Sequence, residues 1–411
     1  MSILTLSKNW KCREDEIVRL ARSRQETRAA VLNYVWKKKG SFRTDIAENV
    51  GLTEASVSRI VSELRSEGVL SEKRQPAEYP GGPSAILTLS KNRYLGALEV
   101  SSNRVHAGIA TLAGDRVFSE RFDLKDGASA EAVSQVIGTA VAALADCAER
   151  SRLQLDLVGV SVPGYDPRRE ANPIVMLDPS ETLERLNASF PDVPVEIANS
   201  IVARAINQRL ALGTASLSDD YLYVFVGHGV AAALVSEFWG NGEVTTCEIG
   251  HMVMDPKGPQ CRCSHFGCLE AYLSTSAIAP RLKIDEVELL ALGDAWPQRV
   301  PISEKTGADL NARLSRLGMA IGNALNLVRT RRVFLGGWPA NLGEAGRASI
   351  LAGIDSCLLG GAGSVVLNFV QSELGREPAA ALSLATFGYL KRGAQPAQEE
   401  ESVPAQAGTE A

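Results

Sequence analysis

Three cysteines fall within eight residues near the middle of the chain, and their spacing constrains the fold more than any other feature. They are Cys261, Cys263 and Cys268, and His251 precedes them in the stretch Glu248-Ile249-Gly250-His251. Three thiolates and one imidazole complete a tetrahedral ligand set for zinc and leave no position for a catalytic water. The spacing therefore predicts a structural zinc site whose ligands are His251, Cys261, Cys263 and Cys268.

Two alternatives stay open for this segment. His265 competes as the fourth ligand, but it lies inside the tight loop between Cys263 and Cys268, so His251 is the preferred candidate. The three cysteines could also be buried and reduced with no metal between them. A disulfide framework is not expected, because only 7 cysteines occur in 411 residues and a reducing compartment disfavours such bonds.

Charge is divided unevenly along the chain. Residues 1–75 contain 15 Lys and Arg against 10 Asp and Glu, whereas the remaining residues contain 28 against 38. No uninterrupted apolar run reaches the ~18 residues that a membrane span requires, and the N-terminus lacks the layout of an export signal. We therefore expect a cytoplasmic protein, with no membrane partner, in which a small basic segment precedes a large acidic one.

The basic segment has the pattern of a winged helix-turn-helix. Apolar spacing predicts helices over 24–40 and 44–49, a turn at Gly51, and a third helix from the N-cap Thr53 to about Glu67. Two strands over 69–74 and 84–89, joined by a turn at 79–82, would form the wing. The apolar stripe of the third helix consists of Val57, Ile60, Val61 and Leu64.

The opposite face of that third helix carries small and basic residues. Side chains near the N-terminus of such a helix meet base edges, and neighbouring groups meet phosphates. The residues placed for bases are Ala55, Ser56 and Arg59. Those placed for phosphates are Ser58, Ser62, Arg65, Lys73 and Arg74. The alternative is a docking module whose Arg and Ser face meets only solvent.

Strands and helices alternate from Tyr94 onward, in two successive sets. The first set has strands at 94–100, 104–112, 116–122, 157–162 and 193–197, with helices at 128–150 and 200–212. The second has strands at 221–226, 230–236 and 332–335, with helices at 269–282 and 310–328. This order predicts an α/β fold of two lobes, each a mixed sheet covered by helices, with a cleft between the lobes.

Together these features resemble the ROK family of repressors, uncharacterised frames and sugar kinases, over residues 24–390. The linker Gly81-Gly82-Pro83 is similar to that of the repressor branch. The remaining motifs are Val162-Pro163-Gly164, Val195-Glu196-Ile197-Ala198-Asn199-Ser200, Glu248-x-x-His251, the Cys-x-Cys-x4-Cys-Leu-Glu run ending at Glu270, and Leu335-Gly336-Gly337.

The predicted domain order is an N-terminal extension at 1–23, the winged helix-turn-helix at 24–89, a large domain at 94–390 and a tail at 391–411. The tail has no periodic apolar residues and is expected to be disordered. For residues 94–390 the resemblance implies an actin-like ATPase (ROK) fold that binds effector and forms oligomers. The family's sugar contacts fall on Asn199, Glu248, His251 and Glu270, and its zinc ligands on the four residues named above. For Glu248 and Glu270 the alternative role is to orient the zinc ligands.

Departures from the kinase branch bear on activity. The family's phosphate loop Asp-x-Gly-x-Thr is replaced by Glu99-Val100-Ser101-Ser102-Asn103, and its second phosphate loop is altered around Gly227. The family's catalytic Asp falls on Ser200, which cannot act as a general base unaided, and loss of such a base costs ~10²–10⁴-fold in rate. We therefore expect that the protein is not an enzyme.

The combined prediction is a DNA-binding transcriptional regulator, a repressor of carbohydrate uptake or catabolism genes. A homodimer or homotetramer would bind operator DNA, and a small carbohydrate between the lobes would control it. The alternative functions are an ATP-dependent sugar kinase that carries a DNA-binding domain, and a regulator whose cleft binds nothing and whose state is set by a protein partner.

Overall fold

The computed structural model describes residues 23–74, 85–125, 128–166, 177–212, 220–236, 243–328, 330–370 and 376–395. The wing turn at 79–82, the linker Gly81-Gly82-Pro83, the extension before Ser23 and the tail beyond Gln395 lie outside these residues. The chain forms two compact units. One comprises the described residues up to Ser90 together with those from Gly388 onward, and the other comprises Lys91–Phe387.

The first unit has the element order of a winged helix-turn-helix, as predicted. Its helices are α1 (Arg24–Lys38), α2 (Arg43–Val50) and α3 (Glu54–Ser66), and its antiparallel strands are β1 (Leu70–Arg74) and β2 (Ala85–Leu89). Helix α3 begins where predicted, since the Thr53 hydroxyl accepts a 3.2 Å hydrogen bond from the Ser56 N–H. The predicted stripe is confirmed, because all four of its residues are buried.

The second unit contains two five-stranded sheets with the same order of strands. The first sheet has the order β5-β4-β3-β6-β7 and the second β10-β9-β8-β11-β12. The first sheet's strands are β3 (Tyr94–Val100), β4 (Arg104–Thr111), β5 (Arg116–Asp123), β6 (Leu155–Val162) and β7 (Val195–Asn199). The second sheet's are β8 (Tyr221–Val226), β9 (Val230–Ser236), β10 (Glu243–Cys247), β11 (Arg332–Gly337) and β12 (Val366–Phe369). The sheets confirm the predicted two α/β lobes.

Helices cover both sheets. They are α4 (Ala130–Arg150), α5 (Pro179–Ser189), α6 (Ser200–Leu212), α7 (Glu270–Leu273), α8 (Thr275–Leu282), α9 (Glu286–Leu292), α10 (Trp296–Arg299), α11 (Glu304–Leu327), α12 (Glu344–Asp355) and α13 (Ala379–Lys391). Among the described residues one helix, Ala130–Arg150, is long and apolar enough by composition to cross a membrane. Its apolar stripe, which includes Val133, Ile137 and Leu144, is buried in the core of the first lobe.

Several elements differ from the sequence-based prediction. The single helix expected over 269–282 is two helices, because Ser274 has extended backbone geometry with ψ 157°. At this break the Thr275 N–H and hydroxyl both donate to the Gly227 carbonyl, at 2.9 and 3.0 Å. Helix α11 begins six residues earlier than predicted, capped by the Ser303 side chain. Helices α5, α9, α10, α12 and α13 and strands β10 and β12 were not predicted.

Candidate functional site

The cysteine segment folds into a cluster whose geometry fits a tetrahedral metal. Ligand atoms of His251, Cys261, Cys263 and Cys268 all lie within 4.8 Å of one another. The Cys263 and Cys268 sulfurs are 3.7 Å apart, and the Cys261 sulfur lies 3.8 Å from His251 Nδ1. A tetrahedral zinc with ~2.3 Å bonds to sulfur separates two sulfurs by about 3.8 Å. The donor set and its spacing therefore fit zinc, and His251 completes this set of mutually close ligand atoms.

The thiols of the cluster differ in acidity. A hydrogen bond from the backbone N–H of His265 lowers the pKa of Cys263 to about 6. Burial instead raises the pKa of Cys261 and of Cys268. A bound cation would favour the thiolate form of all three, since metals bind thiolates.

Backbone contacts hold the cluster in place. The Leu269 N–H donates to the Met252 carbonyl at 2.9 Å, and the Met254 N–H donates to the Gly267 carbonyl at 2.8 Å. Gly267 has a positive φ of 71°, and a Cβ there would overlap the backbone of Asp255. Backbone hydrogen bonds thus join the segment that carries His251 to the segment that carries Cys268.

Three predicted sugar contacts lie near Val230: Glu270, and the turn that contains Glu248 and His251. A Glu270 carboxylate oxygen accepts a 3.0 Å hydrogen bond from the Val230 N–H. Gly250, inside the turn, packs so closely that a Cβ there would overlap the Val230 carbonyl. The backbone turn that carries Glu248 and His251 therefore packs against the first residue of β9, the residue to which Glu270 is hydrogen-bonded. The side chains of Glu248 and His251 are exposed.

Asn199, the fourth predicted sugar contact, lies in the other lobe at the end of β7. Its amide donates to the Tyr165 carbonyl at 3.1 Å, and its side-chain oxygen accepts from the Ile201 N–H at 3.1 Å. Asn199 thereby fixes the start of α6, where Ser200 stands.

A cleft lies between the two lobes. Its first-lobe wall includes Glu99, Ser101 and Asn103, and its second-lobe wall includes Phe225 and His228. Glu99 is only 7% exposed. Its carboxylate accepts hydrogen bonds from the N–H groups of Ala380 and Ala381, at 3.1 and 3.4 Å, at the start of α13.

The glycine loop of the second lobe is also bonded internally. The Gly227 N–H donates to the Gly229 carbonyl at 2.9 Å, and the Val230 N–H donates to Glu270. A Cβ on Gly229 would lie 2.8 Å from the Glu270 carboxylate. Two of the loop's amides are thus directed at the protein rather than at the cleft.

Arg262, between two of the candidate metal ligands, contacts this glycine loop. One guanidinium nitrogen lies 3.0 Å from His228 Nε2, and another donates to Glu286 at 3.3 Å. The sequence did not reveal this link, because the two side chains belong to motifs that lie 34 residues apart along the chain. The only signal was the position of Arg262 inside the cysteine segment.

The residues proposed for DNA lie on the first unit. Ala55, Ser58, Arg59 and Ser62 are exposed on one face of α3. The Ser62 hydroxyl donates to the Ser58 carbonyl at 2.8 Å, and Ser56 is half-buried beside the capping Thr53. Lys73 and Arg74 are exposed at the end of β1.

Arg65 is held by the protein itself. It forms a 2.6 Å ion pair with Glu72 on β1, and the same carboxylate pairs with Arg43 at 2.5 Å. The Arg43 guanidinium holds the pKa of Glu72 below its ordinary value. Glu72 therefore ties helices α2 and α3 to the wing strand.

A family model described as the ROK family matches residues 95–384. The chain belongs to the ROK family. The ROK domain therefore spans both lobes, and the resemblance stated from the sequence is confirmed.

Curated relatives extend over most of the chain. The N-acetylglucosamine repressor of Escherichia coli O157:H7 is 27% identical over 360 residues, which cover 82% of this chain and 85% of that protein. The xylose repressor of Bacillus subtilis is 23% identical over 267 residues, covering 63% of this chain and 68% of that protein. Both relatives are repressors, as expected for the repressor branch of the ROK family.

Solved ROK structures share the fold. A ROK family transcriptional regulator, described as a homologue of the Escherichia coli MLC protein, gives a TM-score of 0.71 at 18% identity and covers 90% of this chain and 97% of its own. The ROK hexokinase of Thermus thermophilus gives 0.54 at 22% identity and covers 72% and 98%. The actin-like fold predicted for the two lobes is confirmed.

Proposed function

We propose that this ROK protein is a DNA-binding transcriptional repressor of carbohydrate uptake or catabolism genes, controlled by a small sugar. The observation that carries the proposal is the winged helix-turn-helix that precedes the ROK domain and exposes Ser58, Arg59 and Ser62 on one face of α3. The alternative of a docking module does not explain why basic residues are exposed both on α3 and on the neighbouring strand β1. Repressor relatives that cover 82% of the chain support the same function.

The face of α3 divides into two roles. Arg59, with Ala55 and Ser56, would meet base edges in the major groove, where Arg discriminates guanine through a bidentate contact. Ser58, Ser62, Arg65, Lys73 and Arg74 would meet phosphates, which fix affinity and register. Arg65 would have to exchange its partner Glu72 for a phosphate, so its contribution would be smaller than that of the exposed wing cations.

The sugar would bind beside Val230, with Glu270, Glu248 and His251 contributed by the second lobe and Asn199 by the first. Carboxylates accept from sugar hydroxyls and an amide can both donate and accept, which suits the vicinal hydroxyls of a sugar. A ligand that prefers the DNA-incompetent arrangement releases DNA, and by linkage DNA weakens that ligand equally. N-acetylglucosamine and xylose are the first sugars to test, because relatives are repressors named for them.

Kinase activity is not part of this proposal. Glu99 stands where the kinase branch has its first phosphate loop, and its carboxylate binds the start of α13. The Gly227 and Val230 amides of the second loop bond within the protein. Ser200 stands at the position of the general base, whose loss alone costs ~10²–10⁴-fold.

The metal proposed for the cysteine cluster is zinc, held by His251, Cys261, Cys263 and Cys268. Four protein ligands fill a tetrahedral shell, so zinc here would brace the fold and supply no water for catalysis. Gly250 and Glu270 would hold the zinc-bound segment against Val230.

We further propose that the protein is a homodimer or homotetramer in the cytoplasm and binds a two-fold symmetric operator.

DNA selection tests the function directly. Full-length protein is incubated with a pool of randomised duplexes, and the bound fraction is amplified and sequenced. We expect one enriched sequence with two-fold symmetry, bound at least ~10³ times more tightly than random duplex. Failure to enrich any sequence in physiological salt would reject the DNA-binding function.

Two further assays separate the alternatives. Calorimetric titration with N-acetylglucosamine, xylose and glucose tests the effector, and a sugar that binds should weaken the selected DNA. No heat from any sugar would favour a regulator whose cleft is empty. ATP-dependent phosphorylation of any of these sugars would establish the kinase alternative instead.

A further inference from the structure

Arg28, in helix α1, is the most deeply buried charged side chain of the described DNA-binding unit, at 1% exposure. Its guanidinium donates to both carboxylate oxygens of Glu67 and lies 3.5 Å from Glu63. Its Nε donates to the Gly393 carbonyl at 2.9 Å. Glu63 and Glu67 belong to the last turn and the C-cap of α3, so one side chain binds both the DNA-reading helix and the segment after α13.

The contact with Gly393 is close. Gly393 has a positive φ of 63°, and a Cβ there would lie 3.0 Å from both Arg28 Cβ and the Gln25 carbonyl. An L side chain would therefore be strained and crowded at this position. Arg28 is buried on all sides and is bonded to Glu63, Glu67 and Gly393 together, so its network holds α3 and the segment that follows α13 against α1.

The other end of α13 belongs to the ROK domain. There Glu99, a wall residue of the interlobe cleft, accepts hydrogen bonds from the Ala380 and Ala381 N–H groups. A carboxylate at a helix N-terminus also gains from the helix dipole. The division between the two units falls inside this helix, between Phe387 and Gly388. A helix of 13 residues is about 20 Å long.

We propose that α13 carries the state of the cleft to the DNA-reading helix, with Glu99 and Arg28 as positioning residues at its two ends. A ligand hydroxyl that competes for the Glu99 carboxylate changes the cap of α13. The displacement reaches Gly393, and through Arg28 it reaches Glu63 and Glu67 on α3. This inference rests on the proposed DNA-binding function but not on the identity of the sugar.

A double-mutant cycle tests the coupling. Full-length wild type, Glu99→Gln, Arg28→Lys and the double variant are titrated with the duplex selected by the wild type. Each single substitution should lower the affinity for DNA about tenfold. The loss in the double variant should be smaller than the product of the two single losses, by a coupling factor of about fivefold or more. A merely structural role for either residue gives effects that multiply.

Matched controls sharpen this cycle. Arg24→Lys also removes a guanidinium that contacts Glu63 from α1, but Arg24 is 69% exposed and has no contact with Gly393 among the hydrogen bonds of the described residues. When Arg24→Lys is combined with Glu99→Gln, the two fold-losses of DNA affinity should multiply. The same should hold when Glu120→Gln, at an exposed position on β5, is combined with Arg28→Lys. If Arg28→Lys does not fold, Glu67→Gln, which keeps the shape of the carboxylate, replaces it in the cycle.

The outcomes are distinct. If the wild type selects no DNA, the proposed function fails and the cycle with it. If the wild type selects DNA but the effects of Glu99→Gln and Arg28→Lys multiply, the function stands and the role of α13 is rejected. Hydrogen exchange gives a second readout: Glu99→Gln should speed exchange of the α3 amides, and unchanged rates would overturn the inference independently of DNA.

Discussion

Gly159 in strand β6 packs directly against the backbone of Ala381 in helix α13. A Cβ at position 159 would overlap the Ala381 carbonyl and lie 2.8 Å from the Ala385 nitrogen. The helix can approach the sheet this closely only because position 159 has no side chain. The same close packing brings the first turn of α13 to Glu99, since Ala97, two residues before Glu99, is the register partner of Gly159 in the sheet.

Replacing Gly159 by alanine should therefore destabilise the protein. The new methyl group would force α13 away from β6, and overpacking of this kind costs about 1–3 kcal/mol. Thermal unfolding of the full chain measures the loss. Gly307→Ala is the control, because a Cβ there meets only Ile302 at 3.8 Å and Ala in a helix is more stable than Gly by about 0.5–1 kcal/mol. Equal stability of Gly159→Ala and wild type would contradict the packing argument.

Helix α13 also shows where prediction from sequence fails. Its residues Ala379–Lys391 are apolar on nearly every side, so no 3.6-residue stripe marks the helix, although Ala380, Leu384 and Leu390 are buried. In contrast, α3 has an apolar stripe with polar residues opposite, and its bounds were predicted to within a residue. Amphipathic elements are visible in sequence, whereas elements buried on all sides are recognised only through their partners.

Long-range contacts explain two further failures of prediction. The helix break at Ser274 depends on Thr275 bonding Gly227, which lies far away in sequence. The Trp338 indole also donates to the Leu273 carbonyl at 3.1 Å beside the break. The candidate metal ligands could be predicted because four residues carry the chemistry within a short segment. Arg28 could not, since its partners Glu67 and Gly393 are distant along the chain.

The Glu72 carboxylate should make the wing sensitive to acid. Because Arg43 lowers the pKa of Glu72 below its ordinary 4.5, the ion pairs contribute stability above pH 4.5, and this stability is lost as pH falls through the lowered pKa. Glu72→Gln should cost about 1 kcal/mol at pH 7 and nothing at a pH below the pKa of the folded protein. Hydrogen exchange of the Leu70–Arg74 amides measures it, with Glu120→Gln as control. A difference that persists unchanged into strong acid would refute the electrostatic cause.

The two classes of DNA contact should separate by salt dependence. Arg59→Ala should weaken the selected duplex by about 1–3 kcal/mol and relax its preference at one base position. Lys73→Ala should weaken selected and random duplexes alike and lower the slope of log affinity against log salt by ~0.9. Fluorescence anisotropy across a salt series measures both, with the exposed Arg150→Ala in the ROK domain as control. If Arg59→Ala lowers the affinity for selected and random duplexes equally, Arg59 contacts no base specifically.

The cysteine cluster should bind one zinc per chain. Cys268→Ser removes a buried ligand and should lower the metal content from about one equivalent to a small fraction, with a lower unfolding temperature. Mass spectrometry of the metal in purified protein measures this. Cys147→Ser, outside the cluster, should keep its zinc. Since binding requires deprotonated thiols, acid should release the metal. If purified wild type contains no zinc and a chelator does not change its unfolding temperature, the three cysteines are reduced thiols and there is no zinc site.

Glu270→Gln should distinguish sugar binding from orientation of the zinc ligands. The amide keeps the acceptor for the Val230 N–H but loses the charge that strengthens bonds to sugar hydroxyls. Hydrogen bonds to charged groups contribute about 1.5–3 kcal/mol, so a sugar contact predicts affinity reduced by roughly 10- to 150-fold with zinc retained. Calorimetry with the sugar that binds wild type, alongside metal analysis, measures both, and the exposed Glu288→Gln is the control. Lost zinc with unchanged sugar affinity would instead assign Glu270 to the metal site.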